Sequence, residues 1–450
     1  MSRISYFQEL LSSLFERRDS SVNKPDARDL VVLTKALLAD KGEVSSLQTG
    51  AALLQKFNAA DDPQKQVFLE MLADDFDIDT DRLVELAKTY AMDRTAANLT
   101  LLQDVSEPKR QSLLRRLNQV PGGTEKLVRM REILLDLLPE NRALGRVDVD
   151  FEHLFSSWFN RGFLVLRPID WTTPAHILEK IIKYEAVHAI NDWDDLRRRL
   201  QPPDRRCFAY FHPAMPDEPL IFVEVALTVS IPDSIQSVLA ENRQPVSPKE
   251  ATAAVFYSIS NCQKGLRGVS FGNFLIKQVV TDLSTSLPNL KTFVTLSPIP
   301  GFMKWLSAEA SANPDTELAD LYLLASELTS ENVDETPVES IAGLKSLAAR
   351  YFLEAQAPRG GPLDPVARFH LGNGASLLAI HWLGDRSTNG LRQSAGLMVN
   401  YLYDLKTVDA NHEAYSRDGI VTASRDVRSL LDAKLGAKTM RKQANDKLSL

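Results

Sequence analysis

The segment Ala253–Leu283 reads AAVFYSISNCQKGLRGVSFGNFLIKQVVTDL: a β-prone run, a glycine-containing loop and a helical pattern in succession. The letters GVSFG match the G-x-S-x-G pattern of serine hydrolases, whose serine stands on the turn that directly leaves a strand. Here the strand-like run Ala253–Ser260 ends ten residues before Ser270. The spacing therefore disfavours Ser270 as a nucleophile.

The same segment is also typical of a phosphate-binding loop that opens a helix. From Phe271 onward apolar residues recur at helical spacing, and the free amides and partial positive charge at a helix start attract a pyrophosphate. The loop adds glycines, which permit close approach of the backbone, and basic side chains: Lys264, Gly265, Arg267, Gly268 and Gly272. An ordinary glycine turn that caps a helix stays open as the other interpretation.

Around this segment strand-like and helical patterns alternate from about residue 145 onward. The strand-like runs are FLVLRPIDW, RCFAYFHP, LIFVEVALT, AAVFYSIS, KTFVTLSP and SLLAIHWLG, and PAHILEKIIKYEAV is one of the helical patterns between them. Such alternation predicts an α/β domain with a mixed sheet. The acidic and polar stretch 326–339 predicts a surface insertion.

Residues 1–142 instead show helix after helix. In ARDLVVLTKALLAD (27–40) and TDRLVELAKTYAM (80–92) apolar residues recur every three or four positions, and Thr80 is the predicted N-cap of the second. Helical stretches with short breaks predict a bundle. No cluster of chemically active side chains stands out there, so we expect a structural or oligomerisation role.

Composition excludes several classes of protein. The 450 residues, 44% hydrophobic and 25% charged, indicate a soluble globular protein of two domains, and a net charge of −7 gives no basis for binding nucleic acid. Two cysteines, Cys207 and Cys262, with no C-x-x-C or H-E-x-x-H pattern, favour neither a disulfide framework nor a zinc site. No apolar run approaches a membrane span and the N-terminus lacks a signal pattern, so we expect a cytoplasmic location and no membrane partner.

RGVSFGNFLI (267–276) resembles the acyl-CoA pyrophosphate loop of the GNAT acetyltransferase superfamily, with Ser270 where a glycine usually stands. More specifically, the chain resembles the malonyl-CoA decarboxylase family. Besides the loop, the resemblance rests on EAVHAINDWDDLRRRL, EPLIFVEVALT, LSPIPGFMKWL and FHLGNGASLLAIHWLGDRSTNGLRQSAGLMVNYLYDL, in order between about Trp171 and Leu405.

The resemblance implies cleavage of malonyl-CoA to acetyl-CoA and carbon dioxide without a metal or organic cofactor. It implies a helical oligomerisation domain over 1–142, a GNAT-like mixed-sheet catalytic domain over 143–450, and a homo-oligomer, with a tetramer suggested. It also implies catalytic roles for Ser297, in LSPIPGF, and His370, in RFHLGNGA. The loop match implies acyl-CoA binding by Arg267, Gly268, Val269, Ser270, Phe271, Gly272 and Asn273.

This chemistry suits the two residue types. Loss of carbon dioxide leaves a thioester enolate, which needs oxyanion donors and then a proton on carbon. A histidine with a pKa near 6.5 supplies that proton at neutral pH, while a serine hydroxyl orients the departing carboxylate or passes a proton. From the residues alone, His370 also fits a hydrogen-bonded core histidine, its place before the Asn373-Gly374 turn indicating a strand end or loop. Ser297 also fits a turn hydroxyl, with Thr295 as its rival.

Four further features are noted. We expect His212 to be structural, and Glu224, in the apolar run FVEVAL, to face solvent because an isolated buried carboxylate is costly. The stretch Asp385-Arg386 and the residue Arg392 fit either binding of the substrate carboxylate or support of the loop.

Two other functions stay open beside decarboxylation: an acyl-CoA-dependent acyltransferase on the same scaffold, and a non-enzymatic CoA-binding sensor or scaffold.

Overall fold

The computed structural model describes residues 27–269, 271, 275–358 and 360–432. These residues form two compact units. The first contains the described residues up to Val165, together with Phe211–Leu220 and Gln263–Phe271. The second contains Leu166–Tyr210, Ile221–Cys262 and the described residues from Leu275 onward.

The first unit is helical, as its sequence predicts. Its helices are α1 (Ala27–Ala39), α2 (Glu43–Ala59), α3 (Asp62–Asp74), α4 (Thr80–Met92), α5 (Ala96–Ser106), α6 (Lys109–Asn118), α7 (Gly123–Leu137) and α8 (Gly145–Trp158). Their apolar stripes meet in one core, which includes Leu30, Leu53, Phe57, Phe68, Leu114, Leu127 and Phe151. Burying a side chain of this size stabilises the fold by about 1.5–3 kcal/mol.

The predicted N-cap of α4 is wrong by one residue. Asp79, not Thr80, is the N-cap: its Oδ1 accepts the amide N–H of Arg82 at 3.0 Å. A carboxylate at this position bonds the amide three residues ahead and also faces the positive end of the helix dipole, so Thr80 becomes the first helical residue.

The second unit places helices around a sheet. Its strands are β1 (Val165–Ile169), β2 (Arg205–Phe211), β3 (Ile221–Thr228), β4 (Ala253–Asn261), β5 (Thr292–Thr295), β6 (Ser297–Pro298), β7 (Ser376–His381) and β8 (Met398–Leu402). Its helices are α9 (Ala175–Tyr184), α10 (Trp193–Leu200), α11 (Ile235–Leu239), α12 (Leu275–Ser286), α13 (Phe302–Ala312), α14 (Glu317–Ser326), α15 (Val338–Leu353), α16 (Pro365–Gly372), α17 (Thr388–Ser394), α18 (Val408–Asp418) and α19 (Arg425–Ser429).

The described strands form one mixed sheet in the order β1-β2-β3-β4-β5-β8-β6, with β7 on β8. The pair β4/β5 is parallel, while β2/β3, β3/β4, β5/β8, β6/β8 and β7/β8 are antiparallel. The predicted fold class, a helical bundle followed by a mixed-sheet domain, is confirmed. β8 was not predicted as a strand, yet it joins the ends of β5, β6 and β7 and so organises the site described below.

Two smaller expectations concern surfaces. Most of the stretch 326–339 is exposed or half-buried, as predicted, although Val333 within its short 3₁₀ turn is buried. None of the helices in the described part of the chain is both long and apolar enough to cross a bilayer.

Candidate active site

Ser297 lies just after the break between two short strands that pair with β8 in one register, Val294 with Leu402 and Ser297 with Val399. Thr295 ends β5 and Ser297 begins β6, and Pro298 and Pro300 then lead into α13. Both hydroxyl-bearing residues are buried, and Ser297 Oγ donates to Thr295 Oγ1 at 2.9 Å. Thr295 Oγ1 also accepts the amide of Tyr401 at 3.1 Å. Thr295 is therefore the hydrogen-bonding neighbour of Ser297, which stands in a short strand and not in the turn expected from the sequence.

His370 lies in the last turn of α16, so the expectation of a strand end or loop is wrong. The helix begins sharply because Asp364 caps it, accepting the amide of Ala367 at 2.8 Å, and Pro365 takes the first position, where no N–H is needed. His370 is 3% exposed. Its Nε2 lies 3.3 Å from Ser297 Oγ, so two residues 73 positions apart in sequence come into hydrogen-bonding contact.

Two tyrosines that the sequence analysis missed complete the surroundings of His370. The hydroxyl of Tyr403 is 2.8 Å from His370 Nδ1. The ring of Tyr401 stacks on the imidazole, with centroids 4.5 Å apart and planes 24° apart. Alternate residues of an extended chain share one face, so the period-2 pattern YLY (401–403), which runs one residue past the end of β8, could have indicated this pair.

Burial sets the charge of His370. Desolvation lowers the pKa of the imidazole from 6.5 to about 3, and the expectation of a pKa near 6.5 is wrong for the chain without substrate. The neutral ring then has one N–H. Because the Tyr403 hydroxyl has a proton to donate, Nδ1 is best assigned as its acceptor, and Nε2 carries the hydrogen that faces Ser297.

The described part of the predicted CoA loop is fastened to the helical unit. Arg131, 1% exposed, donates to the carbonyl oxygens of Gly265 at 3.1 Å and Arg267 at 2.8 Å, and its charge is balanced by Asp148. Leu266 and Val269 are buried in the helical core. The buried Arg131 side chain and the apolar contacts of Leu266 and Val269 thus anchor the loop to the helical core.

Gly265 and Gly268 of this loop are required for different physical reasons. A Cβ on Gly265 would lie 1.9 Å from the carbonyl oxygen of Val128, so close packing against α7 excludes a side chain there. Gly268 has φ +84°, a left-handed conformation that other residues adopt at a cost. Ser270, Gly272 and Asn273 lie outside the described residues. Among the described residues, the helix predicted from Phe271 spans Leu275–Ser286, and Phe271 itself is not helical.

The expectation that Glu224 faces solvent is wrong. β3 is a central strand that is buried on both faces over Ile221–Leu227, so the alternation of a half-exposed strand does not apply. Glu224 is 0% exposed, and its Oε2 lies 3.3 Å from Arg199 Nη1. Arg199 also donates to the carbonyl oxygens of His188 and Ala189. Burial raises the pKa of Glu224 to about 8, against the opposing effect of Arg199.

The described contacts of the remaining candidates are with groups other than Ser297 and His370. The ring nitrogens of His212 contact the carbonyl oxygen of Trp158 and the amide of Ala214, as a structural histidine would. Arg386 pairs with Asp334, and Asp385 Oδ1 accepts from Gln236 and from the amide of Ser387.

Arg392 lines a cleft of about 660 Å³ with Lys304, Tyr322, Thr329 and Thr388, and neither Ser297 nor His370 belongs to its walls. Among the residues that the structure describes, no three His, Cys, Asp or Glu side chains are grouped so as to hold a metal ion.

Comparison with known proteins identifies the relatives of this chain. The family model for the malonyl-CoA decarboxylase C-terminal domain matches residues 162–442, and the model for the N-terminal domain of the same family matches residues 76–159. The chain is 33% identical to the mitochondrial malonyl-CoA decarboxylase of Anser anser anser, over 94% of this chain and 91% of the relative.

Two solved structures are closely similar. The crystal structure of malonyl-CoA decarboxylase from Rhodopseudomonas palustris matches with a TM-score of 0.83 and 52% identity, covering 90% of this chain and 100% of the other. The crystal structure of malonyl-CoA decarboxylase from Agrobacterium vitis matches with a TM-score of 0.83 and 53% identity, covering 90% of this chain and 99% of the other.

Proposed function

The chain belongs to the malonyl-CoA decarboxylase family, a family of carboxy-lyases, and on that premise we propose that it converts malonyl-CoA to acetyl-CoA and carbon dioxide. The observation that carries the proposal to particular residues is the contact between Ser297 Oγ and His370 Nε2, 3.3 Å apart and buried. Both side chains offer O–H or N–H groups in a place from which most water is excluded.

The reaction needs an electron sink and one proton. The bond between the carboxylate carbon and the α-carbon breaks, carbon dioxide leaves, and the electron pair passes through the α-carbon to the thioester oxygen as an enolate. One proton added to the α-carbon then gives acetyl-CoA. The groups assigned to the oxyanion are the Ser297 hydroxyl and the His370 Nε2–H, because each such donor typically contributes about 10²–10³ in rate.

The proton on carbon comes from His370. Without substrate the imidazole is neutral, because desolvation lowers its pKa to about 3. The malonyl carboxylate brings a negative charge into the pocket, which raises the pKa of the neighbouring imidazole, so substrate binding draws a proton onto His370. Departure of carbon dioxide removes the carboxylate, the imidazolium loses its stabilising partner, and it protonates the enolate carbon.

Ser297 is assigned a donor and orienting role. Its hydroxyl donates to Thr295 Oγ1 in the absence of substrate, so rotation about one side-chain bond redirects that proton to a substrate oxygen. Because the reaction ends in protonation rather than hydrolysis, Ser297 forms no acyl-enzyme in this scheme.

The proposed roles of the CoA loop and of the two domains are taken from the family resemblance. Arg267 to Asn273 are proposed to bind the CoA pyrophosphate, which the exposed Arg267 and the anchoring of its carbonyl by Arg131 support. Residues 1–142 are proposed as an oligomerisation domain of a homo-oligomer and 143–450 as the catalytic domain. A cytoplasmic location stays a prediction from composition.

One assay tests the function. The purified chain is incubated with malonyl-CoA alone, and acetyl-CoA and carbon dioxide are measured; we expect both in equal amounts. An acyltransferase would leave malonyl-CoA unchanged until an acceptor is added, and a CoA-binding sensor would bind malonyl-CoA without turnover. Either of those outcomes would contradict the proposal.

A further inference from the structure

The pairing of β5 and β6 with β8 is sparse around Ser297. In the described sheet β5 and β8 share one register pair, Val294 with Leu402, and β6 adds the pairs Ser297 with Val399 and Pro298 with Met398. No register pair joins Thr295 to β8 between them. Pro298 has no N–H to give to the ladder. The backbone alone therefore holds Ser297 and the residues before it against β8 with few bonds.

Side chains replace the missing ladder bonds. The carbonyl oxygen of Thr295 accepts from Asn400 Nδ2 at 2.6 Å, and the amide of Tyr401 donates to the Thr295 hydroxyl at 3.1 Å. Both bonds belong to Thr295, and the same hydroxyl receives the proton of Ser297 Oγ at 2.9 Å. Asn400 is fully buried. The amide of Asn400 thus fixes the residue that in turn holds Ser297.

His381 orients that amide. Asn400 is the register partner of Ala379 in the β7/β8 pair, so His381 is its diagonal neighbour on the same face of the sheet. His381 Nε2 is hydrogen-bonded to Asn400 Oδ1. With Oδ1 engaged by an N–H donor on β7, the amide nitrogen must point to the Thr295 carbonyl on the other side of β8.

The bond between Asn400 and Thr295 also affects His370, because Asn400 directly precedes Tyr401, which contacts the imidazole. Tyr401 stacks on the imidazole, and Tyr403 bonds Nδ1. A single amide therefore links β8, which carries Tyr401 and leads to Tyr403, to Thr295, the residue that holds Ser297. Displacing reacting groups by about 1 Å can lower a rate about a hundredfold.

We propose that Asn400, oriented by His381, is a positioning residue that sets the distance between Ser297 and His370 for catalysis. The proposal rests on the proposed function of those two residues. Asn400 does not contact substrate; it acts through Thr295 and β8.

The first test separates positioning from folding. Asn400→Ala is expected to lower kcat about 10- to 100-fold with KM within about threefold, since CoA binding is not assigned to this region. The matched control is Asn289→Ala, which removes an amide-to-carbonyl bond of similar length, 2.7 Å to Lys249, in the same unit but on the surface. The control is expected to keep kcat. Equal kcat in wild type and Asn400→Ala would overturn the proposal.

A second pair of variants keeps the test decisive should Asn400→Ala fold poorly. His381 is half-buried, so its replacement disturbs less packing. His381→Gln retains an N–H donor at similar reach and is expected to keep kcat within about threefold. His381→Leu removes the donor and is expected to lower kcat about 5- to 20-fold at unchanged melting temperature. Identical kcat in the two variants would overturn the role of His381.

A double-mutant cycle separates this proposal from the one on which it rests. If Asn400 acts through Ser297, then adding Asn400→Ala to Ser297→Ala lowers kcat by less than about threefold further. Full additivity of the two effects would overturn the positioning role while leaving Ser297 in place. Normal turnover by Ser297→Ala would instead remove the proposed function of Ser297 and, with it, the basis of the inference.

Discussion

Two buried polar groups of the sheet-containing unit differ in how their charge is balanced. His370 is 3% exposed and has neutral neighbours, Ser297 and Tyr403, and desolvation alone lowers its pKa to about 3. Glu224 is 0% exposed and faces the guanidinium of Arg199, which opposes the rise of its pKa to about 8. Glu224 has a cationic partner within the protein, whereas burial is what shifts the pKa of His370, and we propose that the counter-charge of His370 arrives with the substrate.

Burial has a different consequence for each of the two groups. Because burial holds the pKa of Glu224 at about 8, its carboxylate charge is present mainly at alkaline pH, where Arg199 compensates that charge and loss of Arg199 is costly. An unpaired imidazole in the same kind of environment changes protonation state when a carboxylate approaches.

The largest effect is expected at the imidazole. His370→Gln should lower kcat about 10²–10⁴-fold, because the group assigned to protonate carbon is lost, while CoA binding persists. Steady-state kinetics with malonyl-CoA and a CoA-binding measurement give the two values. The control is the double variant Arg199→Met/Glu224→Leu, whose kcat should stay within about threefold. Near-normal turnover by His370→Gln would remove His370 from the acid role.

Breaking the ion pair should affect stability instead of turnover. Arg199→Met leaves Glu224 buried without its counter-charge and should lower the free energy of unfolding by about 3–5 kcal/mol at pH 9. Adding Glu224→Leu should restore most of that loss, since an apolar pair replaces the lone carboxyl. Urea denaturation of the single and double variants measures both. Equal stability of the two would contradict a structural role for the pair.

The two groups should give opposite dependences of stability on pH. The folded chain holds the pKa of His370 at about 3 against an ordinary 6.5, so its contribution is complete above about pH 6.5 and is lost as the pH falls toward 3. The folded chain holds the pKa of Glu224 at about 8 against 4.5, so its contribution is complete below about pH 4.5 and is lost as the pH rises toward 8. Each slope reaches at most about 1.4 kcal/mol per pH unit.

Denaturation between pH 4 and 9 checks those slopes. His370→Gln should flatten the acid side of the stability curve and Glu224→Gln the alkaline side, relative to wild type. If His370→Gln leaves the acid side unchanged, the imidazole is not held neutral by the fold.

The smallest effect is expected at the neutral partner of His370. Tyr403→Phe removes one hydrogen bond to Nδ1, of 2.8 Å, and leaves the ring in place. A bond of this kind contributes about 0.5–1.5 kcal/mol, so kcat should fall about 2- to 10-fold with KM unchanged. Kinetics of Tyr403→Phe beside Tyr415→Phe, a half-buried tyrosine of α18, provide the comparison. A loss above a hundredfold would show that Tyr403 takes part in the proton transfer itself.

Much of the fold was predictable because its signals are local. Apolar spacing predicts the helical bundle, and strand-like runs predict β1 to β7. β8 was missed because MVNYL is a short segment between two helices and the alternation of apolar and polar residues within it is weak. Glu224 was misplaced for a related reason: a strand with both faces covered has no polar side, and the sequence does not say how many faces are covered.

The two kinds of architecture, the family resemblance and the candidacy of Ser297 and His370 follow from the amino-acid sequence. Their 3.3 Å contact follows from the fold, because β8 pairs with β6, which carries Ser297, and its Tyr401 stacks on the imidazole of His370. It also decided the charge of His370, since desolvation depends on everything packed around the ring and not on its neighbours in the chain.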